Sequence, residues 1–244
     1  FECHQLSKTR KWVLKKSIAY PKSKVIFLNE NLKLDSGIDN KKFLEKTEVI
    51  QNGVDSKLFN FPKNKNPHQI VFTGNLKRFN DDRGLNFIID SFKNKNMPDQ
   101  YSLLIIGGPV DEVQKMRNYV SKEGLDHKIN IIDRLDRTKV ISTIEKAGIG
   151  LLVNSSNNSH STNYTSPLKY FEFLYAGLKI VAVDFPSHRS LPFSEKIYFF
   201  RENHTESFIN ALNNSSTFRE LEKNILDPIT LTSRINKIDE FINK

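Results

Sequence analysis

From about residue 68 onward the chain alternates between two textures, and this alternation limits its fold more than any other feature. Short, mostly aliphatic runs (QIVFTG, YSLLIIGG, KINIID, GIGLLV, KIVAVD and KIYFF) are separated by longer stretches with helical spacing. Leu85, Ile88, Ile89 and Phe92 form one such stripe; Val113, Met116, Val120 and Leu125 form a second, and Val140, Ile141 and Ile144 a third. Runs apolar on both faces suit buried strands, and the stripes suit helices covering them. The pattern predicts an α/β fold, a Rossmann-like doubly wound parallel sheet with right-handed crossovers. Its ligand is expected beyond the C-terminal ends of the strands.

The two ends of the chain read differently. Leu6 to Ile18 is basic and amphipathic and includes Trp12; an isolated strand-like run, KVIFLN, and then EVIQNGVD follow. Residues 1–52 read as a remnant of a preceding α/β domain with a linker, too short for an independent sheet. Residues 53–226 hold the Rossmann-like unit. Residues 227–244 carry helical spacing at Leu231, Ile235, Ile238 and Ile242, and this helix is expected to cross back to the N-terminal part, leaving apolar surface exposed. With 38% apolar residues the chain can bury a core. Its net charge of +9 favours an anionic partner. A single cysteine, Cys3, excludes an intrachain disulfide framework and fits a reducing compartment. No run approaches the roughly 18 apolar residues of a membrane span.

Searches for metal and nucleophile patterns come back empty: no cysteine pair, no His-x-x-x-His, no Gly-x-Ser-x-Gly, no Walker loop. What remains lies at strand ends. In GNLKRFNDDRGL, Gly74 allows a sharp turn, and Arg78 and Arg83 are either a bidentate diphosphate clamp or solvated arginines beside Asp81 and Asp82. Gly107 and Gly108 end the next run and either let a ligand or another backbone approach closely or form an ordinary tight turn. In TSPLKYFEFLYAG, Pro167 suits a first helical turn, Ser166 an N-cap and Gly177 a helix end. Free N–H groups there form an anion site. Glu172, further along the same helix, is either a ribose ligand or a solvated helix-face residue.

Together these segments resemble the donor-binding half of the glycosyltransferase group 1 family (family 4), of GT-B architecture. VIQNGVDSKLF resembles the family's linker, GNLKRFNDDRGL its glycine-led loop with a basic pair, and SPLKYFEFLYAGLKIVAVD its helix-plus-strand element. The resemblance covers most of the chain from about residue 45. Two positions depart from the pattern: Arg83 stands where Lys is usual, and Tyr164 stands where a first glutamate often precedes Glu172.

The resemblance implies retaining transfer of a sugar from a nucleoside diphosphate sugar, with no metal and no further cofactor. Arg78 and Arg83 would neutralise the diphosphate. Gly74 and Gly107 would line the donor edge, and backbone N–H groups around Ser166, Leu168 and Lys169 would cradle phosphate or sugar. Glu172 would hold the ribose, and Arg134 would lie near the base. Glu2-Cys3-His4 resembles the family's first-domain segment near the reacting sugar, so His4 would touch the donor. The acceptor is an unknown glycan or lipid-linked molecule. The expected location is cytoplasmic, with the basic cluster around Trp12 read either as a peripheral contact at the inner face of the membrane or, equally well, as a solvated helix face. A sugar-nucleotide epimerase of the same architecture and a non-catalytic nucleotide-binding module remain the alternatives. Nucleic-acid binding is not expected, because many of the Phe residues sit in core-like runs rather than along a basic stripe.

Overall fold

The computed structural model describes residues 1–38, 41–62, 64–78, 81–216 and 223–244. The N-terminal unit runs β1 (Glu2–Cys3), α1 (Lys8–Ile18), β2 (Val25–Phe27), α2 (Glu30–Asp35), α3 (Lys41–Leu44) and β3 (Thr47–Val49). Its strands pair in parallel in the order β1-β2-β3. The isolated strand expected from the sequence is therefore corrected to a small sheet. Strands of two or three residues leave no periodicity to read, and only their pairing reveals them. Ser7 and Asn29 cap α1 and α2 by accepting from Arg10 N and Leu32 N. Cys3, Leu14, Ile18, Val25, Phe27 and Leu32 close a core between helices and sheet.

The main unit begins with β4 (Asn66–Asn75), followed by the antiparallel pair β5 (Lys77–Arg78) and β6 (Asp81–Asp82). It continues with α4 (Leu85–Ser91), β7 (Ser102–Gly108), α5 (Val110–Lys122), β8 (Ile129–Asp133), α6 (Arg137–Ile144) and β9 (Ala147–Leu152). Then come α7 (Leu168–Tyr175), β10 (Lys179–Val183), α8 (Pro186–Arg189), β11 (Ile197–Phe200), α9 (Thr205–Ser215) and α10 (Leu231–Asn243). Six strands form one parallel sheet in the order β11-β10-β9-β4-β7-β8. The chain winds outward from β4 to β8, then returns to the far side of β4 for β9. Strand order thus reverses between β4 and β9, where an open α/β sheet leaves a crevice at its C-terminal edge.

Side chains alternate across this sheet, as a pleated strand requires. Ile70 and Phe72 face one core with Ile88 of α4, Val113 of α5 and Phe208 of α9. Val71 faces the other core with Ile141 of α6 and Phe171 of α7. Burying such a side chain contributes about 1.5–3 kcal/mol, so both helical layers hold the sheet. Gly150 of β9 sets the height of α7: a Cβ there would lie 2.3 Å from the Phe173 ring. The helix ends at Ala176, with Gly177 at φ 75°, as the sequence predicts.

Contacts join the ends of the chain. Phe241 of α10 packs with Ile26 and Ile50, and Arg234 donates to Glu2 Oε1 (2.6 Å) and to the Gln51 carbonyl (2.9 Å). Leu231, Ile235 and Ile242 on the same helix are exposed. Among the described residues, no helix is long and apolar enough to cross a membrane.

Candidate functional site

The crevice between β4 and β9 is bridged by cations. Arg83, just ahead of α4, is 8% exposed. Its Nε donates to Asn154 Oδ1 beyond β9 (2.9 Å) and its Nη1 to the Asn75 carbonyl at the end of β4 (3.3 Å). The guanidinium lies 5.5 Å from the centre of the Phe72 ring. Burial, then the neighbouring charge of Arg78, lowers its pKa to about 10. Asp82, offered as a partner by the solvated-arginine alternative, instead accepts from Leu85 N at the start of α4 (3.0 Å). Arg78 is half-buried in β5, and burial lowers its pKa as well.

Lys169 crosses the same crevice from the other side. Its Nζ donates to the Thr73 carbonyl (3.1 Å) and lies 3.6 Å from the centre of the Phe72 ring. Desolvation holds its pKa well below the ordinary lysine value, with Arg83 and Arg78 adding to the shift and Glu172 opposing it. His188, in α8 beyond β10, is buried with Nδ1 2.8 Å from the Val183 carbonyl. Its pKa is lowered to about 4, chiefly by burial, with Lys169 and Arg83 adding to the shift and the Val183 hydrogen bond and Asp184 opposing it. His160, in the π-helical turn His160–Tyr164, is likewise held at about 4, by burial and then by Arg78 and Arg10. Positive charge therefore accumulates at one place, in a desolvated setting.

The N-terminus of α7 faces this cluster. Pro167, not Ser166, occupies the N-cap position, and no side chain caps the helix. That corrects the sequence expectation for Ser166. Its carbonyl accepts from Asn52 Nδ2 (2.7 Å), while its buried Oγ has no hydrogen-bond partner. Leu168 is exposed, and the first helical N–H groups, those of Leu168 and Lys169, have no acceptor within the helix. Glu172, one turn further in, is 4% exposed, which rules out the solvated helix-face alternative. Arg137 Nη1 lies 2.5 Å from Glu172 Oε1, yet that oxygen has no hydrogen-bond partner, so the contact is an ion pair without alignment.

The remaining predicted residues divide. Gly74 adopts φ 123° at the end of β4 and sits beside Arg83; a Cβ there would be 3.7 Å from Nη1. Gly107 is a glycine for a different reason, since a Cβ would lie 2.2 Å from the Gly74 carbonyl oxygen. That close approach of neighbouring backbone is one of the readings its sequence allowed. Arg134 is exposed beyond β8 and donates to Asn75 Oδ1. His4 is exposed and pairs with Glu2 (3.2 Å). Asn154, His188, Arg137 and the side chain of Lys169 were missed. Asn154 had a signal, its place directly after the GIGLLV strand; the other three had none in one sequence.

No family model matches the chain, and no curated protein matches it. Solved structures do. Sucrose-phosphate synthase from Thermosynechococcus elongatus superposes with a TM-score of 0.70 at 15% identity, over 98% of this chain and 62% of that one. Anabaena HepE in complex with UDP gives 0.74 at 14%, over 99% and 71%. A glycosyltransferase from Rickettsia africae gives 0.65 at 14%, over 98% and 64%. The chain has the fold of the C-terminal half of a GT-B structure. It spans about 62% of the length of the sucrose-phosphate synthase it matches. Within this GT-B framework the β4–β9 crevice and the α7 N-terminus lie at the C-terminal half's strand-end edge.

Proposed function

We propose that this chain is the nucleotide-sugar-binding part of a retaining glycosyltransferase that needs no metal. One observation carries the reading: Arg83 and Lys169 share the Phe72 ring in the crevice, beside the open N-terminus of α7. Such an arrangement suits a diphosphate, which replaces cation–cation repulsion with attraction. Arg78 and Arg83 bind the diphosphate, and the N–H groups of Leu168 and Lys169 with the Ser166 hydroxyl complete its cradle. Glu172 holds the ribose, Arg134 flanks the base, and His4 approaches the sugar from the N-terminal side.

In the transfer the bond between the anomeric carbon and the β-phosphate oxygen breaks, and its electron pair stays on that oxygen. The acceptor hydroxyl oxygen bonds the same carbon from the same face, and its proton passes to the departing phosphate. Fixed donors aimed at the developing charge are each worth about 10²–10³ in rate. HepE has been solved in complex with UDP and with UDP and glucose, which makes UDP the first nucleotide to try. Calorimetric titration with UDP, GDP, ADP and their sugar conjugates, repeated with Glu172→Ala, tests the reading. Saturable binding of one nucleotide, weakened by the substitution, is the expected result; no binding of any by the folded chain sinks it.

The same proposal includes a peripheral contact with an anionic membrane at the cytoplasmic face. On α1, Trp12 is 62% exposed among Lys8, Lys11, Lys15 and Lys16, a composition suited to the lipid interface. Sedimentation with phosphatidylglycerol vesicles should deplete the protein, and Trp12→Ser should weaken this severalfold. Equal sedimentation of the two would remove the contact.

A further inference from the structure

Lys169 is costly as an ordinary structural lysine. A lysine in the first turn of a helix normally extends into water, and a cation is disfavoured at that end of the helix dipole. Here the ammonium is folded inward over Phe72 and donates to the Thr73 carbonyl. No carboxylate lies within 4.0 Å of it among the described residues. Arg83 and Arg78 stand near enough to repel it, and the one acid that favours its charge, Glu172, is engaged with Arg137. Desolvation, two like charges and the helix dipole therefore all oppose the charged form. An anion in the crevice reverses the electrostatic part of each.

We infer that the Lys169 side chain is a third cationic ligand of the donor's diphosphate, swinging from its resting bond at Thr73 to meet a phosphate oxygen. This rests on the diphosphate reading of the site and adds a role for the side chain to that of the backbone N–H. A diphosphate ester carries one charge on each phosphate. Departure of the sugar frees a terminal phosphate whose second ionisation lies at about pH 6. Three cations thus match the leaving nucleotide better than the intact donor, so Lys169 favours the charge that develops as the bond breaks. Because burial and repulsion disfavour its proton in the empty site, binding an anion strengthens the hold of Lys169 on that proton.

Inorganic pyrophosphate is the probe, since it lacks base, ribose and sugar. Titration of wild type, Lys169→Met and Lys169→Arg at pH 7.5, each in two buffers of different ionisation enthalpy, reads both affinity and proton uptake. Lys169→Met should bind at least tenfold more weakly. Lys169→Arg should stay within about threefold of wild type while taking up less proton than wild type does. Wild-type affinity in a folded Lys169→Met overturns the assignment and leaves the diphosphate site standing. Should Lys169→Met fail to fold, the comparison of wild type with Lys169→Arg decides. Uptake equal in those two would come from pyrophosphate itself, His160 or His188 and also overturns it. If wild type binds no pyrophosphate, the diphosphate reading itself fails.

Discussion

Among the described residues two glutamates are buried in the main unit, one towards each edge of the sheet, and they are partnered in opposite ways. Glu145, just before β9, is 2% exposed, and its Oε1 accepts from both Asn60 N and Phe61 N at 2.6 Å. Glu172 is 4% exposed and leaves an oxygen without a hydrogen bond. The helix that carries Glu172 shows the same contrast. Lys65 Nζ donates to the Ala176 carbonyl at its C-terminus (2.7 Å), whereas its N-terminus has no side-chain cap. Burial of a carboxylate is therefore no mark of a site. The mark is polar capacity left unused where the strand ends converge, since buried groups are otherwise satisfied almost without exception.

Glu145→Ala should produce the largest change in stability. Each hydrogen bond to a charged group is worth about 1.5–3 kcal/mol, so losing both should cost about 3 kcal/mol in denaturant unfolding. Nucleotide affinity per folded molecule should not move. A loss of affinity without a loss of stability would erase the contrast between the two edges.

Acid should act on the strand-end edge in particular. His188 is held at about 4 in the fold against 6.5 as its ordinary value. A depressed histidine gives stability that is complete above 6.5 and is lost as the pH falls from 6.5 towards 4. The loss reaches about 3 kcal/mol at 1.36 kcal/mol per unit. His160 titrates over the same window. The charges that His188 meets on protonation are Lys169 and Arg83, with Asp184 opposing them. Unfolding at pH 7 and pH 4.5 should show a shallower loss for His188→Gln than for wild type; parallel losses would place the acid sensitivity elsewhere.

How far the sequence foretold this arrangement depends on the scale of the feature. The six aliphatic runs became the six strands because each carries its own period and length, as with YSLLIIGG and β7. The fold class followed from their alternation with helices. The N-terminal sheet did not, because Glu2–Cys3 and Thr47–Val49 are strands only by virtue of Val25–Phe27 lying between them. At the site, Arg78, Arg83 and Glu172 stood out by residue type and place. Lys169 did not stand out as a side chain. In sequence it is one more lysine among many, and only the packing of α7 over β9 brings it to Phe72. Ser166 was misplaced by one residue, because Pro167 with ψ 124° takes the cap position itself. The fold is thus written in local periods, while the satisfaction of each polar group is a tertiary matter.

Glu172→Ala sharpens the contrast from the other side. With its partner Arg137 half exposed, the ion pair contributes little to folding. Stability should shift by under about 1 kcal/mol, while nucleoside diphosphate affinity falls about tenfold, as for the loss of a hydrogen bond to a charged group. Titration of the nucleoside monophosphate should show the same fold-loss, because the ribose is common to both. A loss confined to the diphosphate would move Glu172 from the ribose to the phosphates.

The smallest expected effect is the most discriminating, because its two parts have opposite signs. Ser166 Oγ is buried without a hydrogen-bond partner, and Ser166 does not cap α7. An unsatisfied buried hydroxyl costs about 1–3 kcal/mol. Ser166→Ala should therefore leave the empty protein unchanged or more stable, by up to about 1 kcal/mol after the loss of packing. The same substitution should weaken nucleoside diphosphate binding by about threefold, since the hydroxyl gains its partner only when a phosphate oxygen arrives. Stability up and affinity down is the signature of a group kept for a ligand. Stability down with affinity unchanged would make Ser166 the counterpart of Glu145, a residue whose partners lie within the fold.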